Sequence, residues 1–346
     1  MRRIAFILLV IFLLVLPVNA MEFNAPEAPE SAQRLMPDEA QNFGEGLWFV
    51  IASAFKTIRP GMLEAVKTCI SLIAASLLVG ILSNLAESAK SAVTMTGTVT
   101  VGMIMFQPVN TLIKLGAETV EQISQYGKLL LPVMTGALAA QGGVSKAGAI
   151  YVATAFFDAL ISSAVAQLLV PMVYIFLCIS IVCKLFRQPL LEELRRFLKW
   201  LTTWGLKTVL YVFTGYISIT GVVGGTTDAA MLKATKLTIS GMVPVVGSIL
   251  SDASEAVLVS AGIVKSAVGV YGLLAVVALW IGPFMKIGIQ YLLLKLTAGI
   301  CEMFGPKAMA GLVKEFSTSM GLILAMTGTV CLVFMISIIC FMKGVS

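Results

Sequence analysis

The sequence predicts an all-α, polytopic membrane protein of about six helical crossings, with an initial helical hairpin followed by two parallel repeats. Three observations carry this. Of the 346 residues 58% are hydrophobic and only 12% charged, with a mean hydropathy of +0.97, whereas a soluble domain carries about 25% charged residues. Several apolar runs approach or exceed the roughly 20 residues that a helix needs to span a bilayer. Prolines recur at matched spacings in the two halves of the chain.

Composition also excludes function classes. There is no histidine, which removes the usual general base, the imidazole of a catalytic triad and the commonest zinc ligand. The six cysteines (Cys69, Cys178, Cys183, Cys301, Cys331, Cys340) lie in apolar stretches with no CxxC pair. They read as small hydrophobes rather than metal ligands. No GxxxxGK[ST] loop is present, so energy from ATP would have to come from a partner. The net charge of +6 is localised to particular loops and reports topology and lipid attraction, not nucleic-acid binding. No cofactor, metal site or enzymatic activity is expected.

Residues 1–20 read as a signal peptide: Arg2 and Arg3, an apolar run from Ile4 to Leu16, then Pro17 to Ala20 with small residues at the cleavage positions. Its apolar core is short for a permanent span, although an uncleaved anchor is the alternative. Cleavage puts the mature N-terminus outside the cytoplasm. Residues 21–66 form an extracytoplasmic segment in which seven acids stand against three bases up to Glu64. Such a segment is expected to stay wet and to begin without ordered structure.

Residues 67–116 make the first membrane hairpin, Cys69 to Leu85 and then Val93 to Leu115, the second interrupted by Pro108. The chain returns outside at Glu118 and Glu121. Val152 to Cys183 is too long for one straight crossing and contains Pro171, so it is one kinked element or two joined crossings. The next stretch, Lys184 to Lys207, holds six bases and two acids. Positive loops stay cytoplasmic, which favours one net crossing. Within it, Leu190 to Leu201 has apolar and charged sides and reads as a cytoplasmic interfacial helix displaying Arg187, Arg195, Arg196 and Lys199. Leu206 to Val223 then crosses outward to the turn Gly224–Gly225. Val257 to Ile300 is broken by Pro283, and Leu322 to Phe341 is the last crossing.

The halves echo one another. Pro132 and Pro244 are each followed by a proline 39 positions later, Pro171 and Pro283, and the copies start 112 residues apart. Residues 129–226 and 241–342 are the expected repeats, chance matching of prolines being the alternative. Parallel repeats are common in transport proteins, where their interface houses a path or hinge.

Asp158 is a candidate conduit residue, because an acid in a membrane segment costs about 2.5 to 3.5 kcal/mol on insertion scales and faces protein or water. The alternative is a position close to the outer interface or a structural pair with Lys146 or Lys265. Lys265, Pro171 and Pro283 complete the conduit or gating candidates. Lys286 and Lys295 read as snorkelling side chains. Gly142–Gly143 and Gly224–Gly225 read as chain reversals.

The stretch from Asp228 to Gly247, containing Gly241-Met-Val-Pro244-Val-Val-Gly247, followed by Ser251-Asp252-Ala253-Ser-Glu255-Ala-Val257 and Lys265 to Gly272, resembles the stage III sporulation protein AE family. The resemblance extends in outline over nearly the whole chain, with a short external N-terminal region as the main departure. It implies a subunit of an eight-protein assembly of endospore-forming bacteria, in the mother-cell membrane surrounding the forespore. Its implied partners are the ATPase (stage III sporulation protein AA), the ring proteins AG and AH, small membrane subunits of the same operon, and stage II sporulation protein Q of the forespore. The implied role is permease-like or export-gate-like, in a secretion-type channel that sustains late forespore gene expression. A scaffold that recruits the ATPase and ring proteins without lining the conduit, or a stand-alone secondary transporter, is the alternative. The resemblance carries over no catalytic residue.

Overall fold

The structure is a computed structural model that describes residues 25–37, 43–140, 144–186, 188–219 and 267–344. The signal segment 1–20, Gly142, Gly143, Arg187, Gly224, Gly225 and Lys265 lie outside the described residues, as does the expected start of the second repeat. Everything described is helix, turn or short connection, with no strand among the described residues. Helix α1 is a single turn, Glu30–Gln33, followed by α2, Phe43–Leu85. A 3₁₀ turn at Glu87–Ala89 leads into α3, Lys90–Ala140. Helix α4, Val144–Ala164, passes through a π-helical turn at Val165–Leu169 into α5, Val170–Phe186. Then come α6, Pro189–Ile219, α7, Ala267–Phe304, and α8, Lys307–Gly344.

Among the described residues five stretches are long and apolar enough to cross a bilayer: Phe43–Leu85, Glu87–Gly136, Ile150–Phe186, Val268–Phe304 and Lys307–Met342. The chain is thus a polytopic helical membrane protein. Helix α6, where a further crossing is expected from Leu206 to Val223, is not among the five: its described part ends at Ile219, and Lys207 with several Thr, Gly and Tyr residues dilutes its apolar half.

The helices are longer than hydropathy suggests. Helix α2 starts at Phe43 and not near Cys69, and α3 runs past Leu115 to Ala140 through both Pro108 and Pro132. The polar stretch from Lys56 to Lys67 lowers hydropathy without stopping a helix, and a proline inside a long helix removes one hydrogen bond without ending it when tertiary packing holds both sides. At 1.5 Å per residue α3 is about 76 Å long, more than twice the hydrocarbon thickness of about 30 Å. The segments read as an interfacial helix and a following crossing are joined likewise. Residues 189–219 form one uninterrupted helix through Gly205, and residues 307–344 another through Gly321, since one glycine costs a helix only about 1 kcal/mol. Pro283 likewise lies within a continuous α7. The chain around Pro171 is continuous as well, its irregularity being the π-helical turn that ends two residues before the proline. Such turns reconcile a helix with a local mismatch in its hydrogen-bond ladder.

Helix α8 is the hub. It packs on α3, α4, α5, α6 and α7, and 89% of its most apolar stretch is buried, against 22% for α2. Its apolar character is satisfied by protein, whereas α2 faces outward. Small residues let the helices approach. Gly116 and Gly127 of α3, three turns apart, lie against Ile323 and Phe334 of α8, also three turns apart. The two helices therefore run side by side in the same direction. Gly80 of α2 sits under the Phe304 carbonyl, where a Cβ would come within 2.6 Å of that oxygen.

Within the N-terminal segment, residues 25–37 pack against the bundle where composition predicts a loose start. Ala28 and Ala32 are buried. The Ala28 amide donates to the Tyr271 hydroxyl at 3.3 Å, and the Ser31 hydroxyl donates to Gln122 at 3.2 Å. Residues 25–37 thus pack across α3 and α7, an arrangement that acidic composition alone does not reveal.

Candidate functional site

Asp158 lies on the inner face of α4, with Phe157, Ile161 and Val165 buried beside it. Helical periodicity brings that face against α3. The carboxylate is 3% exposed. It accepts a hydrogen bond from the Ser124 hydroxyl to Oδ2 at 3.1 Å, while Oδ1 has no hydrogen-bond partner. One turn earlier the Thr154 hydroxyl is also buried without a partner beyond its shell. Among the described residues a cation acts on Asp158, that of Lys128, one turn beyond Ser124 on α3; Lys265 and the Lys146 side chain lie outside them. Burying an ionisable group with one of its oxygens unbonded carries a penalty that packing must offset.

A second polar contact joins the same pair of helical rods. The Tyr174 hydroxyl of α5 donates to Asn110 Oδ1 of α3 at 2.7 Å. With 16 residues between Asp158 and Tyr174, the two contacts are about 24 Å apart along the helix axis. They are two separate polar contacts along one seam between α3 and the α4–α5 rod, with Ile161, Val165, Leu169 and Val173 buried between them.

At the end of the bundle where α5 turns into α6, charge is concentrated. Arg195 is buried and forms an ion pair through Nη1 with Glu315 of α8, while Nη2 meets Glu192 at 3.0 Å. Arg196 pairs with Glu193 on the exposed side. Burial, then the positive charges of Arg195 and Lys314, push the Lys199 ammonium below its usual range.

The sequence candidates therefore separate. Asp158 is brought into a polar site, although by Ser124 and Lys128. Pro171 lies two residues beyond the π-helical turn, and Pro283 lies in α7 on the other side of α8. Arg195, Arg196 and Lys199 share one helix, with Arg195 turned inward to α8. Sequence reasoning missed Ser124, Lys128, Asn110 and Tyr174. The available signal was the i, i+4 spacing of Ser124 and Lys128, hidden because the second crossing was ended at Leu115. No group of three or more Cys, Asp or Glu side chains with metal-binding geometry occurs among the described residues.

The family described as Stage III sporulation protein AE matches residues 41–344. A curated protein named Stage III sporulation protein AE, from Bacillus subtilis (strain 168), is 24% identical over 226 residues, 65% of this chain and 57% of that relative. The match thus spans little more than half of the relative's length. No solved structure matches.

Proposed function

We propose, from the premise that the chain belongs to the stage III sporulation protein AE family, that it is a permease-like or export-gate-like subunit of a secretion-type channel complex. Membership gives it a role in sporulation. The finer reading puts it in the mother-cell membrane surrounding the forespore, with its mature N-terminus extracytoplasmic. There it would act with the ATPase AA, the ring proteins AG and AH, small membrane subunits and the forespore protein Q to supply the forespore and sustain its late gene expression.

The observation that carries a conduit role is the buried Asp158 carboxylate, bonded through one oxygen to Ser124 and unpartnered at the other. Ionisable groups inside membrane proteins line substrate or ion paths often enough to make this the leading assignment. The polar seam to Asn110 and Tyr174 gives such a path a direction, with Pro171 beside it as a gating element. Lys265 and Pro283 remain part of the proposal as gating residues of the second half. Two parallel repeats are supported by the breaks at Pro189 and Pro306, three and two residues after a helix end.

A scaffold role is favoured by a different observation. Trp48 is 74% and Phe55 62% exposed on α2, beyond the charged stretch from Lys56 to Lys67. Reconstitution decides between the two. Sealed vesicles containing the complex should pass small solutes, and vesicles made without this subunit or with Asp158→Asn should not. Equal passage with Asp158→Asn would leave the subunit a scaffold.

A further inference from the structure

We propose that the junction of α5, α6 and α8 binds the phosphodiester headgroup of an anionic phospholipid, held by Lys199 and Lys314 at the level of the Trp200–Trp204 ladder. This site is separate from the Asp158 seam and independent of whether the subunit conducts or scaffolds.

Four cations from three helices meet here. Lys184, near the end of α5, places its ammonium against Gly311 of α8, its Nζ 3.2 Å from where a Cβ at Gly311 would stand. Lys314 lies three residues further along α8 and is exposed. Arg195 and Lys199, one turn apart on α6, face the same junction. Among the described residues Glu192 and Glu315 form ion pairs here, and both are bonded to Arg195. The junction therefore carries excess positive charge at close range, a repulsion that a bound anion removes.

A second observation points the same way. The Arg195 side chain is 10% exposed, yet its Nε has no hydrogen-bond partner. A buried guanidinium with an unused donor is a costly arrangement that an oxyanion at the junction completes.

The opposite face of the same turns of α6 gives the depth of the junction and so the source of the anion. Phe197, Trp200 and Trp204 are about half exposed, with consecutive ring centroids 5.9 and 5.8 Å apart and the two indoles stacked at 18°. Indoles with one apolar and one polar edge sit at the level of lipid headgroups. Basic pockets between helices at that level take acidic headgroups. A soluble acidic protein would satisfy the cations and leave the indoles uncovered.

The full chain in detergent, offered equal amounts of phosphatidylglycerol and phosphatidylcholine, should retain phosphatidylglycerol selectively in native mass spectrometry. Lys199→Gln/Lys314→Gln should weaken that retention roughly thirtyfold, the loss expected for two interfacial cations. Lys199→Arg/Lys314→Arg should keep it. The selectivity of the unaltered chain is a readout that needs no variant to fold. Equal retention of both lipids, or retention unchanged in the glutamine variant, would overturn the proposal. So would displacement by free glycerophosphate at the lipid's concentration, which would make the ligand a soluble phosphate.

Discussion

Gly127 of α3 lies directly against the ring of Phe334 of α8, with no room for a methyl group between them. Gly116 repeats the arrangement three turns earlier against Ile323. These contacts seat the central helix.

Gly127→Ala should therefore destabilise the bundle by about 1–3 kcal/mol, the usual cost of forcing a methyl into a packed interface. Thermal unfolding in detergent reads the loss. Phe334→Leu should recover part of it in the double variant, whereas Gly148→Ala, at a glycine with open space around it, should be neutral.

The Arg195–Glu315 pair is nearly dry, with side chains 10% and 13% exposed. Removing one partner strands a charge, so Arg195→Met should cost about 3 kcal/mol and reduce the amount of folded protein. Arg195→Met/Glu315→Met should regain most of that stability, because the stranded carboxylate is gone. A double variant no better than the single would show that the pair acts independently of its partner's charge.

Asp158→Asn keeps volume and the acceptor for Ser124 while removing the charge. It should assemble and accumulate normally but lower spore yield after engulfment. Lys128→Met in the same chain should not restore yield; recovery there would make Asp158 half of a structural pair with Lys128.

Single cysteines at Glu193 and at Glu45, both exposed, in a background lacking the native cysteines, should react with impermeant reagents from opposite sides of the membrane. The positive charge near α6 assigns Glu193 to the cytoplasm. Labelling of both from one side would invert the topology at α2 or at α6.

Composition and hydropathy alone determined that this is an all-helical membrane protein, since too few polar residues exist to cover a soluble surface and apolar runs need lipid or each other. They also singled out Asp158, because one acid in an apolar run is visible without coordinates. Helix ends were not legible: Lys56 to Lys67 and Glu118 to Glu121 look like loops to hydropathy, yet helix propensity and packing carry α2 and α3 straight through them. Partners were equally hidden. Ser124 lies 34 residues from Asp158, and Glu315 lies 120 residues from Arg195, distances over which no periodicity speaks. Only the tertiary structure decided that α8 is enclosed by protein and α2 exposed, because both sequences are apolar and a run of apolar side chains is satisfied as well by neighbouring helices as by lipid.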